Sequence, residues 1–219
     1  MSKKTVLFDL DGTLTDTLDG IRFCVNHTMD EMSLPHVTRE QCRAFVGNGA
    51  KVLLQKSLIA VCGSDERLGE AESLYSTFFK NHCCDEVTVY PGVHDMLCRL
   101  VESGYAVGIV TNKPHEASCI VADTLMGDIP FVIIRGQING QPRKPEKALM
   151  DEVISKLSVE IDDCIFVGDS EVDVTTGANS GMTTIAVTWG FRTKEQLKEA
   201  GATYFASTAD ELESIIKSV

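Results

Sequence analysis

Apolar and polar positions divide the 219-residue chain into three stretches. Thr5 to Phe8 is a short apolar run with β-branched and aromatic side chains, which reads as a buried strand ending where Asp9 and Asp11 begin. From residue 17 to residue 84 the period is helical throughout. Leu18, Ile21, Val25, Met29 and Met32 share one face, and a second helix is expected after Thr38. Val46-Gly47-Asn48-Gly49-Ala50 interrupts the pattern before Val52, Leu53, Leu58 and Val61 resume it as far as Gly63. Ala71, Leu74, Tyr75, Phe78 and Phe79 mark one more helix.

Beyond residue 85 strand and helix alternate. Val93, Met96, Leu97, Leu100 and Val101 form one helical face, strands are expected at 105–110, 130–134, 164–167 and 183–187, and helices at 115–126, 146–157 and 171–180. Thr193 with Gln196, and Thr208 with Glu211, have capping-box spacing for two late helices. Near-continuous apolar strands between helices argue for an α/β fold whose parallel sheet is covered on both faces. The expected architecture is a Rossmann-like, doubly wound core formed by residues 1–16 and 85–219, with residues 17–84 inserted as an all-helical cap.

Ligands of such sheets bind outside the strands' carboxyl ends, so polar residues should gather there. Asp9 and Asp11 follow the first strand, with Gly12 giving a tight exit; Thr111-Asn112-Lys113 follow the next. Arg143-Lys144-Pro145 precedes a helix, and Gly168-Asp169-Ser170-Glu171-Val172-Asp173 follows the fourth strand. Two carboxylates one residue apart need a counter-charge: a cation binds between them or one pKa rises.

A formal charge of -12 without any Lys/Arg run argues against a nucleic-acid or anionic-membrane partner. A phosphate ligand would then need locally concentrated positive charge. The eight cysteines show no CxxC pair, and the five histidines no ligand spacing, so no zinc site is expected. Cys98, Cys119 and Cys164 fall in apolar patterns as small hydrophobes, and no apolar run approaches the roughly 20 residues of a membrane span. A cytoplasmic protein, monomer or dimer, is the expectation.

Four motifs in order, DLDGT at 9–13, Thr111 with Asn112, Lys144 in RKP, and GDSEVD at 168–173, resemble those of the haloacid dehalogenase-like phosphohydrolases. The helical insert after the first motif is similar to the cap of the phosphoglycolate phosphatase-like branch, as are Val46-Gly47-Asn48-Gly49 and Trp189-Gly190-Phe191. The resemblance implies a nucleophile at Asp9, forming an aspartyl-phosphate, and a general acid and base at Asp11. It implies a magnesium ion held by Asp9, Asp169 and the main-chain carbonyl of Asp11, with Asp173 orienting the set. Lys144, Gly12, Thr111 and Asn112 would hold the phosphoryl group, and Lys113 and Arg143 are expected in solvent. The implied substrate is a small phosphorylated metabolite.

Asp11 counts against a dehalogenase or a phosphonatase, which do not usually carry aspartate there. A nucleotidase, pyrophosphatase or sugar-phosphate phosphatase of the same family is an alternative, as is a β-phosphoglucomutase-like isomerase, which would share all four motifs. A catalytically silent binding module is disfavoured by the intact Asp9, Asp11, Lys144 and Asp169. In the cap, Gly47, Asn48, Gly49 and Lys51 are expected to form a substrate loop: glycines break the helix, and main-chain amides at a new helix start beside Lys51 would suit an anion.

Overall fold

All four residues of strand β1, Thr5–Phe8, are buried, and their alternating side chains serve two cores. Val6 and Phe8 pack with Leu97, Val107, Ile109 and Val121 on one face, while Leu7 packs with Leu149, Met150 and Phe166 on the other. A strand apolar at every position thus marks a sheet covered on both sides. The structure is a computed structural model describing residues 5–219, so residues 1–4 of the expected core lie outside the described residues.

After β1 comes a short strand, β2 (Thr15–Asp16), and then helices α1 (Leu18–Glu31), α2 (Arg39–Phe45), α3 (Ala50–Cys62) and α4 (Leu68–His82). These helices pack on one another, α1 against α4 and α2 between α1 and α3. The chain returns through β3 (Thr88–Val89), which pairs antiparallel with β2 and so joins the outgoing and returning segments at one point. Then follow α5 (Val93–Glu102), β4 (Ala106–Pro114), α6 (His115–Met126), β5 (Ile134–Gln137), α7 (Lys147–Leu157) and β6 (Cys164–Gly168). The last elements are α8 (Glu171–Ser180), β7 (Thr183–Val187), α9 (Lys194–Glu199), β8 (Tyr204–Ala206) and α10 (Ala209–Ser218).

Six parallel strands form one sheet in the order β5-β4-β1-β6-β7-β8. With Phe8 opposite both Ile109 and Val167, β1 lies between β4 and β6. The strand order reverses there, which opens a crevice at the carboxyl end of β1.

Three expectations need correction. The strand expected at 130–134 is β5, Ile134–Gln137. The apolar run before it does lie along β4, with Val132 N donating to Val107 O (2.9 Å), but regular pairing starts at Ile134. Arg135 disguised the strand: it is 3% exposed, and Glu152 of α7 answers its charge at 3.2 Å. Secondly, β4 runs on to Pro114, through a register shift, so Thr111, Asn112 and Lys113 lie within its end rather than after it. Thirdly, Thr208 caps α10 by accepting from Glu211 N at 3.2 Å, but the Glu211 carboxylate turns back one residue further, to Ser207 N. The Thr193–Gln196 capping box forms in full. All eight cysteines are free thiols, and no described helix is long and apolar enough to cross a membrane.

Candidate active site

The end of β1 delivers Asp9 to the crevice, 7% exposed. Its Oδ1 accepts from the following Leu10 amide (2.7 Å) and stands 2.9 Å from Lys144 Nζ. Lys144 comes from the loop before α7 and is fully buried, its ammonium shared between Asp9 and Asp173, the latter at 2.7 Å. The second Asp173 oxygen accepts from Asp169 N, Ser170 N and Ser170 Oγ, so that carboxylate is saturated by protein donors. Asp169, after β6, is fixed by Thr13 Oγ1 (3.2 Å) on one oxygen and Phe191 N (2.7 Å) on the other. Gly12, with φ of +85°, allows this approach: a Cβ there would stand 2.4 Å from Asp169 Oδ2.

Carboxylate oxygens of Asp9, Asp169 and Asp173 lie within 4.8 Å of one another. Among the described residues, Lys144 is the one ammonium paired with this trio. Burial pushes the Asp9 carboxyl up to about 6; Lys144 opposes the rise and Asp173 adds to it. Asp169 is raised well above the carboxylate range, first by burial and then by Asp173 and Asp9. Burial works to lower the Lys144 ammonium, but Asp173 and Asp9 outweigh it and hold it above its ordinary value. The site therefore carries uncompensated negative charge on hard oxygen donors, and a divalent cation such as magnesium fits that donor set. Asp9 and Asp169 are the members with donor capacity to spare; Asp173 has none.

The sequence profile described as haloacid dehalogenase-like hydrolase matches residues 6–187. The chain belongs to this family. It is 31% identical over 219 residues to a phosphoglycolate phosphatase of Pseudomonas savastanoi pv. phaseolicola, covering 97% of this chain and 78% of that one. A phosphoglycolate phosphatase of Colwellia psychrerythraea is 28% identical, with 96% and 95% covered. A crystal structure from Lactobacillus delbrueckii subsp. bulgaricus, provisionally assigned as a phosphoglycolate phosphatase, superposes with a TM-score of 0.89 at 30% identity, covering 99% of both chains. This haloacid dehalogenase-like hydrolase is a phosphatase of the phosphoglycolate phosphatase-like branch.

Within the hydrolase the two lysines near the aspartates divide their work. Asp11 stands apart from the carboxylate trio, and its carboxylate receives Lys113 Nζ at 3.0 and 3.4 Å. Lys113 was expected in solvent, yet its side chain is 2% exposed; the extension of β4 turns it inward, where Asp11 satisfies its charge. Thr111 is buried beside Asp9, and its Oγ1 accepts from Lys113 N at 3.3 Å. The Asn112 side chain does not face the crevice freely. It donates to Lys144 O and Gly47 O, both at 3.1 Å, and accepts from Lys144 N.

The 46–49 segment breaks the helical run as expected, and its carbonyls meet the core: Val46 O accepts from Arg192 (2.8 Å), Gly47 O from Asn112 and Asn48 O from Arg143 (3.1 Å). Arg143, expected in solvent, is thus a bridge to the helical unit. Gly47 and Gly49 line the small cavity above Asp9, whereas Lys51 is exposed and lines a wider outer cleft. Sequence reasoning missed Arg192, which also pairs with Glu171 at 2.7 Å, because its partners lie in segments far apart in the chain. It missed Arg43 for the same reason; its side chain donates to Gly190 O and Phe191 O, both at 2.8 Å.

Proposed function

We propose that the protein is a magnesium-dependent phosphatase that hydrolyses a small phosphomonoester, 2-phosphoglycolate foremost, through an aspartyl-phosphate on Asp9. The observation that carries this reading is the buried Asp9, flanked by Lys144 and the Asp169 carboxylate, with Asp11 two residues on. A carboxylate becomes a useful nucleophile toward phosphorus when it is fixed in line and the charge around the phosphoryl group is neutralised. Leu10 N and Lys144 fix the Asp9 orientation. Asp9, Asp169 and the main-chain carbonyl of Asp11 would hold the ion, which when bound neutralises phosphoryl charge. Lys144 and the Thr111 hydroxyl supply further donors to the transferring group. Asp11 protonates the leaving oxygen and then takes a proton from the water that cleaves the acyl-phosphate. The helical unit, residues 17–84, acts as the cap over this chemistry, and Gly47 and Gly49 form part of its wall.

Released phosphate is measured with 2-phosphoglycolate, nucleoside monophosphates, sugar phosphates and pyrophosphate, in magnesium and in EDTA. Magnesium-dependent release that is fastest with 2-phosphoglycolate is expected. Isomerised sugar phosphate as the main product, or full activity in EDTA, would overturn the reading.

A further inference from the structure

The cleft above Asp9 offers about 40 Å³ of space, and the helical unit gives it a mostly apolar wall. Ile21, Val46 and Leu53 belong to that wall, and so do the stacked rings of Tyr75 and Phe79, 5.0 Å apart. Tyr75 is 4% exposed, and its hydroxyl has no hydrogen-bond partner among the described residues. A buried phenol facing a cavity without a partner is costly unless something in the cavity accepts its proton. Burial, before any neighbouring charge, raises the Tyr75 pKa well above its usual value, so the group remains a neutral donor.

Two cationic side chains line the same cavity, Lys113 and Arg192. Arg192 is committed to Glu171 and to the carbonyls of Arg43 and Val46. Lys113 Nζ touches Asp11 and lies 4.9 Å from the Phe79 ring centroid. Under the proposed mechanism Asp11 meets the leaving oxygen, so whatever is bonded to that oxygen extends past Asp11 toward Lys113 and the tyrosine. A polyhydroxylated leaving group would set its hydroxyls against Ile21, Val46 and Leu53, whereas a compact anion would meet the neutral Tyr75 donor and, when Asp11 carries the proton it passes to the leaving oxygen, the Lys113 ammonium freed from that carboxylate.

We propose that Tyr75 and Lys113 are the specificity residues of the site: the phenol hydroxyl and the ammonium together bind a carboxylate on the leaving group of a small phosphomonoester. This assignment rests on the phosphatase reading and moves substrate selection from Lys51, which lies outside the cavity, to the α4–β4 contact.

The test uses the full chain loaded with magnesium and carrying Asp9→Asn, so that ligands are bound without turnover. Calorimetry gives Kd for 2-phosphoglycolate and for ethyl phosphate, which lacks the carboxylate. The ratio of the two affinities is expected to exceed about 30-fold, and to fall by about tenfold in Tyr75→Phe and again in Lys113→Met. Tyr75→Phe removes one oxygen and keeps the ring stack, so the conclusion does not depend on how the lysine variant folds. A ratio near one without further substitution, or a ratio that survives both substitutions, would overturn the assignment. Phosphate release by the native chain is read separately. If it is absent while the affinity ratios behave as expected, the phosphatase reading falls and the anion subsite stands.

Discussion

Asp9 is held ionised against its own burial, and this governs how it should respond to substitution. Asn keeps the shape of the side chain and removes the nucleophile, so Asp9→Asn should lose at least about 100-fold in turnover. With the carboxyl raised to about 6, its ionised form destabilises the metal-free fold at pH 7.5. Asp9→Asn should therefore melt no lower than wild type in EDTA, with an unchanged far-ultraviolet circular dichroism spectrum; retained activity above about one per cent would remove Asp9 from the nucleophile's role. Gly12 makes a different demand. A methyl group there meets Asp169 at 2.4 Å on a backbone with φ of +85°, so Gly12→Ala should displace Asp169. Magnesium affinity measured by calorimetry should fall by about tenfold or more; wild-type affinity in that variant would mean that Asp169 adjusts freely.

Between elements, the contacts that join the helical unit to the sheet converge on the 46–49 segment and on residues 190–192. Arg43 of α2 donates to Gly190 O and Phe191 O, while Phe191 N donates to Asp169. Arg192 returns the contact to Arg43 O and Val46 O. One loop thus holds both the helical unit and Asp169 of the carboxylate trio. Removing the Arg192 side chain leaves buried carbonyls without donors, and the helical unit should loosen before the sheet does. In Arg192→Ala, amide hydrogen exchange should quicken about tenfold or more across 42–53 and remain unchanged in α7. Uniform protection across both regions would show that the clasp contributes nothing to closure. The glycine break at 46–49 was legible from helix propensity. That it offers carbonyls to the core was not, because the donors come from Asn112, Arg143 and Arg192, which are distant in the chain.

For the molecule as a whole, a charge of -12 and an anionic substrate are reconciled by placing Lys144 and Lys113 in the crevice, each against an aspartate. Stability should then depend on pH and on metal together. Asp9 binds its proton more tightly in the folded state than in the unfolded one, so its contribution to metal-free stability declines as pH rises from about 4 to about 6. A cation replaces that proton. Magnesium should accordingly raise the melting temperature by a few degrees at pH 7.5, about 2–4 °C per kcal/mol of binding, and by less at pH 5. Thermal melts in magnesium and in EDTA at the two pH values check this, and an equal shift at both would contradict a carboxylate ion site.

The linear order of residues decided the class of fold, because periods of 2 and 3.6 and runs of apolar side chains follow from local geometry alone. The α6 and α8 bounds agree residue for residue with expectation, and Asp9, Lys144 and Asp169 converge where strand ends were expected to meet. Local pattern could not find β5, since a buried Arg135 is tolerable only with Glu152 opposite, and Glu152 is on another element. Nor could it tell Lys113 from a solvated lysine, or Tyr75 from any other core aromatic on its helix face. Pairings of that kind are made by the crossing of β1, β4 and α4 in space. The strands set where chemistry can occur through their own polar ends, whereas the walls of the cavity, which choose what enters, exist only once the helical unit lies over the sheet.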